Sequence, residues 1–382
     1  MPMPTRIAGN LRRLRAIRRM TQQKVADAAG ISRIAYRDIE NGKTADPRVT
    51  TLQKIADALQ VGLQDLLAEA PRLTRVRFRA ANRLSARQRA ARDQLLVHIA
   101  FWLQDFNDLE DILGQRRPYA FAESLDRLRA CRAGGDGAQQ AAAMARELLQ
   151  LGEEPIRDMP GLLESAGVKV RTLASDIKKF FGLSVAEHDG GPAVIVNVRE
   201  DITVERRIFT AAHELGHLLL HPDAYDVDRV EENQDEEREA DRFAGYFLMP
   251  DPAFEKEWDK AYGQPIVLRV LHVKRIFRVS YKTVLRRLVD RGDVGDHIWR
   301  WFAAEYRRQY GQSLGYKVEP LPLAESIEPS PLADPDFIED RLHSLVRRAI
   351  DQGAISLSRG AEILGLSIEA MRERAASWEA AE

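Results

Sequence analysis

The chain has 382 residues, 45% of them hydrophobic and 30% charged, a balance that excludes a disordered polymer and suits two or three globular domains. Its 57 Lys and Arg against 58 Asp and Glu leave a formal net charge of -1, which excludes a uniformly basic nucleic-acid coat but not a local basic module. A single cysteine, Cys131, excludes a disulfide framework and a multi-cysteine zinc knuckle, so a metal site here must use His and carboxylates.

In chain order, residues 5–70 read as a compact helical bundle. Ile7, Leu11, Leu14 and Ile17 mark one face of the first helix at steps of three and four. Thr21 is an N-cap for the helix of Val25, Ala26 and Ala29, Gly30 permits a tight turn, and Ser32 caps a helix carrying Ile34, Tyr36 and Ile39. Asn41-Gly42 ends that helix, and Leu52, Ile55, Ala56 and Leu59 form another apolar face. Residues 71–152 form a helical connection; its stretch 72–92 holds eight Arg and reads as a solvated linker helix or an added basic footprint. Phe101, Trp102 and Phe106 are core candidates within it. Residues 153–315 are mixed, with helix at Leu162–Ala166, a β-like Val168–Val170, a strand at Ala193–Val198 and a long helix over Thr203–Leu220. Residues 316–335 read as a linker, with five prolines between 320 and 335, and residues 336–382 as a helical tail. No stretch approaches the roughly 20 apolar residues of a membrane span, and residues 1–20 lack a signal-peptide apolar run, so a cytoplasmic protein with no membrane partner is expected.

The string TQQKVADAAGISRIAYRDIENGK resembles the helix-turn-helix of the XRE (Cro/C1-type) repressor family, over about residues 5–68. The resemblance implies that double-stranded DNA is a partner, that the second helix of the motif enters the major groove, and that Gln22, Ser32, Arg33, Tyr36 and Arg37 face it. Residues 1–70 hold 12 Lys/Arg and 7 Asp/Glu, a net of +5, in keeping with that role. A homodimer is expected because such operators carry paired half-sites.

Ala212-His213-Glu214-Leu215-Gly216-His217 contains HExxH. On a helix His213 and His217 share a face and can hold one metal ion, and Glu214 is placed to take a proton from its water. A third ligand must come from elsewhere. His221 lies about 12 Å along the axis from His213, too far for one ion to take both. The acidic helix DEEREADRFAGYFLMP is the other source, with Glu239 chosen and Glu236 one turn earlier on the same side. Tyr225 and Tyr246 are near enough in sequence to donate to an oxyanion, and nothing in the sequence selects between them. The strand Ala193–Val198 is expected to offer an edge to an extended substrate.

RRIFTAAHELGHLLLH followed by EREADRFAGYFLMP resembles the ImmA/IrrE metallopeptidase family over roughly residues 155–310, with Asp241 where Asn is common. The resemblance implies a mainly α protein with a small β-sheet, an all-α helix-turn-helix bundle joined to a zincin-like α+β domain and a helical tail. It implies Zn²⁺, with Mn²⁺ also accepted by such ligands, held by His213, His217 and Glu239, with Glu214 as catalytic base. It further implies a protein substrate, a transcriptional repressor cleaved to switch gene expression in a stress or phage-type response. Two alternatives stay open on the sequence: a domain that senses a ligand or partner without turnover, and a self-processing regulator. The tail AISLSRGAEILGLSIEAMRERA looks like a second small helix-turn-helix, expected to pack or dock rather than read DNA.

Overall fold

The structure, a computed structural model, describes residues 3–18, 20–68, 71–78, 85–133, 135–227, 233–311, 313–314, 319–320 and 332–379, without the side chains of 4, 5, 16, 17, 133 and 379. Most of the expected linker 316–335, part of the Arg-rich stretch and the side chain of Ile17 therefore lie outside the described residues.

Helices α1 Met3–Ile17, α2 Gln22–Ala29, α3 Arg33–Glu40, α4 Val49–Leu59 and α5 Leu63–Leu67 open the chain. Strand β1 Val76–Phe78 and the long helix α6 Ala86–Ile112 follow, then α7 Leu125–Ala130, α8 Gly137–Leu148 and α9 Met159–Ser165. Strands β2 Lys169–Leu173, β3 Gly182–Val185 and β4 Ala193–Asn197 come next. Helices α10 Val204–Leu220, α11 Gln234–Leu248, α12 Asp251–Lys260, α13 Ile266–Phe277, α14 Tyr281–Asp290 and α15 Ile298–Tyr310 succeed them. The chain closes with α16 Arg341–Asp351, α17 Leu357–Leu364 and α18 Ile368–Glu379. It is mainly helical with one small sheet among the described residues, the fold class expected.

The chain divides into two compact units: residues 1–73 with 90–116 and 340–382, and residues 74–89 with 117–339. In the first, the apolar faces read from the sequence meet in one core of Ile7, Leu11, Leu14, Val25, Ala26, Leu52, Ile55 and Leu59. The tail joins this unit through charge. Arg13 of α1 stacks 3.8 Å over Phe101 of α6 and lies 3.7 Å from Glu362 of α17. Arg359 reaches Glu362 at 2.8 Å and Asp105 of α6 at 2.5 Å. Burial raises the Asp105 carboxyl to about 6, against the pull of Arg359.

The second unit is built on a sheet of order β1-β3-β4-β2, in which β4 runs parallel to β2 and antiparallel to β3, and β1 antiparallel to β3. Strand β4 thus has a partner on each side, and the expected substrate edge at Ala193–Val198 does not exist. Its five residues are all buried, and an unbroken apolar run is the pattern of an interior strand. The edges are β1 and β2, and on β2 the N–H and hydroxyl of Thr172 both donate to Glu339 at 2.9 Å. Helix α10 is buried along almost its whole length, so its leucines Leu215, Leu219 and Leu220 each contribute about 1.5–3 kcal/mol of transfer free energy.

Candidate metal centre and nucleic-acid interface

Two glycines let α10 approach its neighbours on both sides. A Cβ on Gly182 of β3 would lie 2.5 Å from Thr210 Cγ2, and one on Gly216 would lie 2.9 Å from the Phe243 ring of α11. The helix is therefore held between sheet and α11, with Thr203 capping its first turn.

His213 and His217 project from α10 one turn apart, their Nε2 atoms 2.9 Å from each other. Glu237 of α11 completes the group, with Oε2 3.4 Å from His213 Nε2 and Oε1 3.3 Å from His217 Nε2. This is the group of His and acidic side chains, among the described residues, whose ligand atoms lie within 4.8 Å of one another. Two imidazole nitrogens and a carboxylate are the donor set of a catalytic divalent-metal site, and lone pairs turned toward one point are stabilised by a cation.

The outer contacts agree with that fit. His213 Nδ1 lies 2.8 Å from Asp241 Oδ1. His217 Nδ1 is 2.9 Å from His221 Nδ1, and His221 Nε2 is 3.0 Å from Glu239 Oε2, which also accepts from Arg132 Nε at 2.9 Å. One tautomer assignment satisfies the chain: His217 donates from Nδ1 to His221, and His221 donates from Nε2 to Glu239. Both Nε2 lone pairs of His213 and His217 then face Glu237.

Burial holds His217 well below the usual histidine range, which keeps it neutral as a ligand must be. For Glu237 burial opposes ionisation, but the close imidazoles of His213 and His217 outweigh it and hold the carboxyl below its usual range. Glu239 is likewise held down by His221 and Arg132 against the opposing effect of burial. Burial raises Glu214, opposed by the charge of His213 and by a hydrogen bond in which Ser184 Oγ donates to Glu214 Oε2 at 2.7 Å. Ser184 Oγ is also 2.8 Å from the Tyr225 hydroxyl, which burial holds well above the usual phenol range.

The structure places Glu239, the expected third ligand, against His221 and Arg132, and it is Glu237 whose carboxylate lies with His213 and His217 in a group that could hold a metal ion. Successive helix positions turn by about 100°. Glu237 lies three and seven residues before Ala240 and Ala244 of the buried stripe, whereas Glu239 is rotated to its margin. Glu236 points elsewhere, to Arg77 at 2.6 Å. Of the two tyrosines left open, Tyr225 reaches Ser184, while Tyr246 lies under the Arg287 guanidinium at 3.4 Å. Ser184 and Arg77 escaped the sequence analysis altogether. Nothing local marks Ser184, and Arg77 sat unremarked in a run of arginines.

In the first unit, α2 and α3 are joined through Gly30, at φ +62°, and Ser32, whose Oγ accepts from Ala35 N. Ser32, Arg33 and Arg37 are exposed, Arg37 beside Asp38. Tyr36 does not face solvent: it is 0% exposed, and its hydroxyl donates to Glu40 Oε1 at 3.2 Å. Gln22 is half-buried and donates to the same carboxylate at 2.5 Å, which Arg15 also grips at 2.6 Å. The physical reason is helical phase. Tyr36 lies three and four residues before Ile39 and Glu40, on the inward face, while Ile34 two residues earlier is turned outward and is 63% exposed.

The chain thus carries two distinct folds, a helix-turn-helix bundle in one unit and an α+β fold with a His/His/Glu cluster in the other. Comparison with known proteins gives the same division. Residues 163–289 match the family model described as the IrrE N-terminal-like domain, a peptidase family, and residues 11–66 match the helix-turn-helix model. The two matches are thus similarities of separate parts of the chain, one to helix-turn-helix domains and one to IrrE N-terminal-like domains. Over 60 residues, 16% of this chain, it is 40% identical to the uncharacterized HTH-type transcriptional regulator RghRB of Bacillus subtilis (strain 168), covering 43% of that protein. It is 37% identical over 60 residues to the HTH-type transcriptional repressor RghR of the same organism, covering 44% of it. The chain thus spans less than half the length of these curated relatives. Among the described residues no helix is long and apolar enough to cross a membrane.

Proposed function

We propose that this protein is a DNA-binding transcriptional regulator whose IrrE-like unit is a zinc-dependent endopeptidase acting on a transcriptional repressor. The observation that carries the enzymatic half is the convergence of His213 Nε2, His217 Nε2 and the Glu237 carboxylate beside Glu214. His213, His217 and Glu237 are the ligands in this reading, and Glu239 is an outer partner. A bound divalent cation supplies polarisation of the scissile carbonyl and acidification of water. Glu214, raised by burial, takes the proton from the attacking water and returns it to the leaving nitrogen. Ser184 orients Glu214 by donating to one carboxylate oxygen, and Tyr225 steadies Ser184.

The DNA-facing side is formed by Ser32, Arg33 and Arg37 with Ile34 between them; Gln22 and Tyr36 support it from within. The match of residues 11–66 to the helix-turn-helix model and the similarity over 60 residues to a transcriptional repressor support this half, and with it we propose a homodimer on paired half-sites. The test is metal analysis of the purified chain, followed by incubation of the zinc-loaded protein and of Glu214→Gln with helix-turn-helix repressors encoded beside it. Cleavage by the wild type, with zinc retained and cleavage lost in the variant, is the expected result. A promoter response that is the same for wild type and Glu214→Gln in cells would overturn the enzymatic reading in favour of sensing without turnover.

A further inference from the structure

Arg77 has no role in the reading above, yet it is buried in the second unit, 9% exposed, and its two terminal nitrogens engage two neighbouring carboxylates. Nη1 lies 2.6 Å from Glu236 Oε2 and Nη2 lies 3.0 Å from Glu237 Oε1. The strand register explains how it gets there. Arg77 of β1 is paired directly with Ser184 of β3, so both side chains leave the same face of the sheet. Ser184 reaches Glu214 and Arg77 reaches Glu237. One cross-strand pair therefore touches both carboxylates on which the proposed chemistry depends.

We infer that Arg77 is a positioning residue of the metal centre, fixing the carboxylate of Glu237 in its ligand orientation. The inference rests on the reading of Glu237 as a metal ligand. A glutamate has three side-chain torsions to restrict, and Arg offers a planar fork that restricts them where a lysine offers a single point charge. Glu236 completes the clamp by holding the other arm of the guanidinium, which prevents Arg77 from swinging about its contact with Glu237.

The sign of the effect separates positioning from plain electrostatics. Arg77 is a cation beside a site for a cation, so its charge alone opposes metal binding, and removing that charge would tighten it. Orientation acts in the other sense. Loss of an outer partner of a ligand typically weakens metal affinity about 10–100-fold. The experiment measures the zinc affinity of the full chain by competition with a chromogenic chelator for wild type, Arg77→Gln, Arg77→Lys, Glu237→Gln and the Arg77→Gln/Glu237→Gln double variant. Circular dichroism melts accompany each, and Arg77→Lys stands in if Arg77→Gln does not fold. The expected result is a loss of about 10–100-fold for Arg77→Gln, a smaller loss for Arg77→Lys, and no further loss from Arg77→Gln once Glu237 is already changed. Unchanged or tighter binding by Arg77→Gln would overturn the inference. So would an equal loss in the Glu237→Gln background, which would mark a general structural role. If the wild-type chain binds no zinc, the metal-site reading itself fails, an outcome distinct from both.

Discussion

Glu237 and Glu239 sit two residues apart on one helix, and exchanging each for glutamine separates a ligand from its support. Glu237 faces His213 and His217 at 3.4 and 3.3 Å, whereas Glu239 is 3.0 Å from His221 and 2.9 Å from Arg132. If zinc binding by His and carboxylate ligands is worth about 12 kcal/mol, one ligand of three carries about 4 kcal/mol. At about 1.4 kcal/mol per factor of ten, Glu237→Gln should weaken zinc by about 10³-fold. Glu239→Gln keeps a carbonyl oxygen able to accept from both His221 and Arg132, so its loss should fall at the lower end of the 10–100-fold range for outer partners, about 10-fold. Both values come from chelator competition at fixed pH and ionic strength. A larger loss for Glu239→Gln than for Glu237→Gln would refute the ligand assignment and return Glu239 to the ion.

Other expected outcomes follow from separate parts of the molecule. Glu214→Gln should retain zinc within the wild-type range and lose about 10²–10⁴-fold in repressor cleavage, read by gel densitometry. Arg33→Ala and Arg37→Ala should each weaken DNA binding and lower the salt slope by about 1, measured by fluorescence anisotropy across a salt series. Tyr36→Phe should instead leave the salt slope unchanged and cost about 1 kcal/mol of stability in denaturant, because only its internal bond to Glu40 is lost. Asp105, raised by burial from 3.8 to about 6, holds its proton more tightly folded than unfolded. Its contribution is fully present below about pH 4 and is lost as pH rises through about 6, so Asp105→Asn should flatten that fall in urea titrations between pH 4 and 7.

What the sequence determined by itself was local. The HExxH spacing puts two imidazoles on one helix face whatever surrounds them. The caps at Thr21 and Ser32 are likewise decided within three residues of where they act. The apolar periodicity of residues 5–70 was enough to give the bundle and most of its core. Tyr36 shows where such reading slips, since it lies three residues before Ile39 and so shares that residue's buried face.

Only the tertiary structure decided the rest, because those features depend on which surfaces meet. Which edge of α11 faces α10 is fixed by Gly216 against Phe243, and that packing brings Glu237 inward and leaves Glu239 at His221. Strand order decides that β4 is interior, and strand register decides that Arg77, one arginine in a run of eight, is turned inward onto two carboxylates. The tail 340–382 belongs to the same compact unit as α1 and α6 and is tied to them by a charge network across more than 200 residues of intervening chain. No window of sequence carries that information, because each of these contacts joins groups that are distant in the chain and adjacent only once the apolar faces have packed.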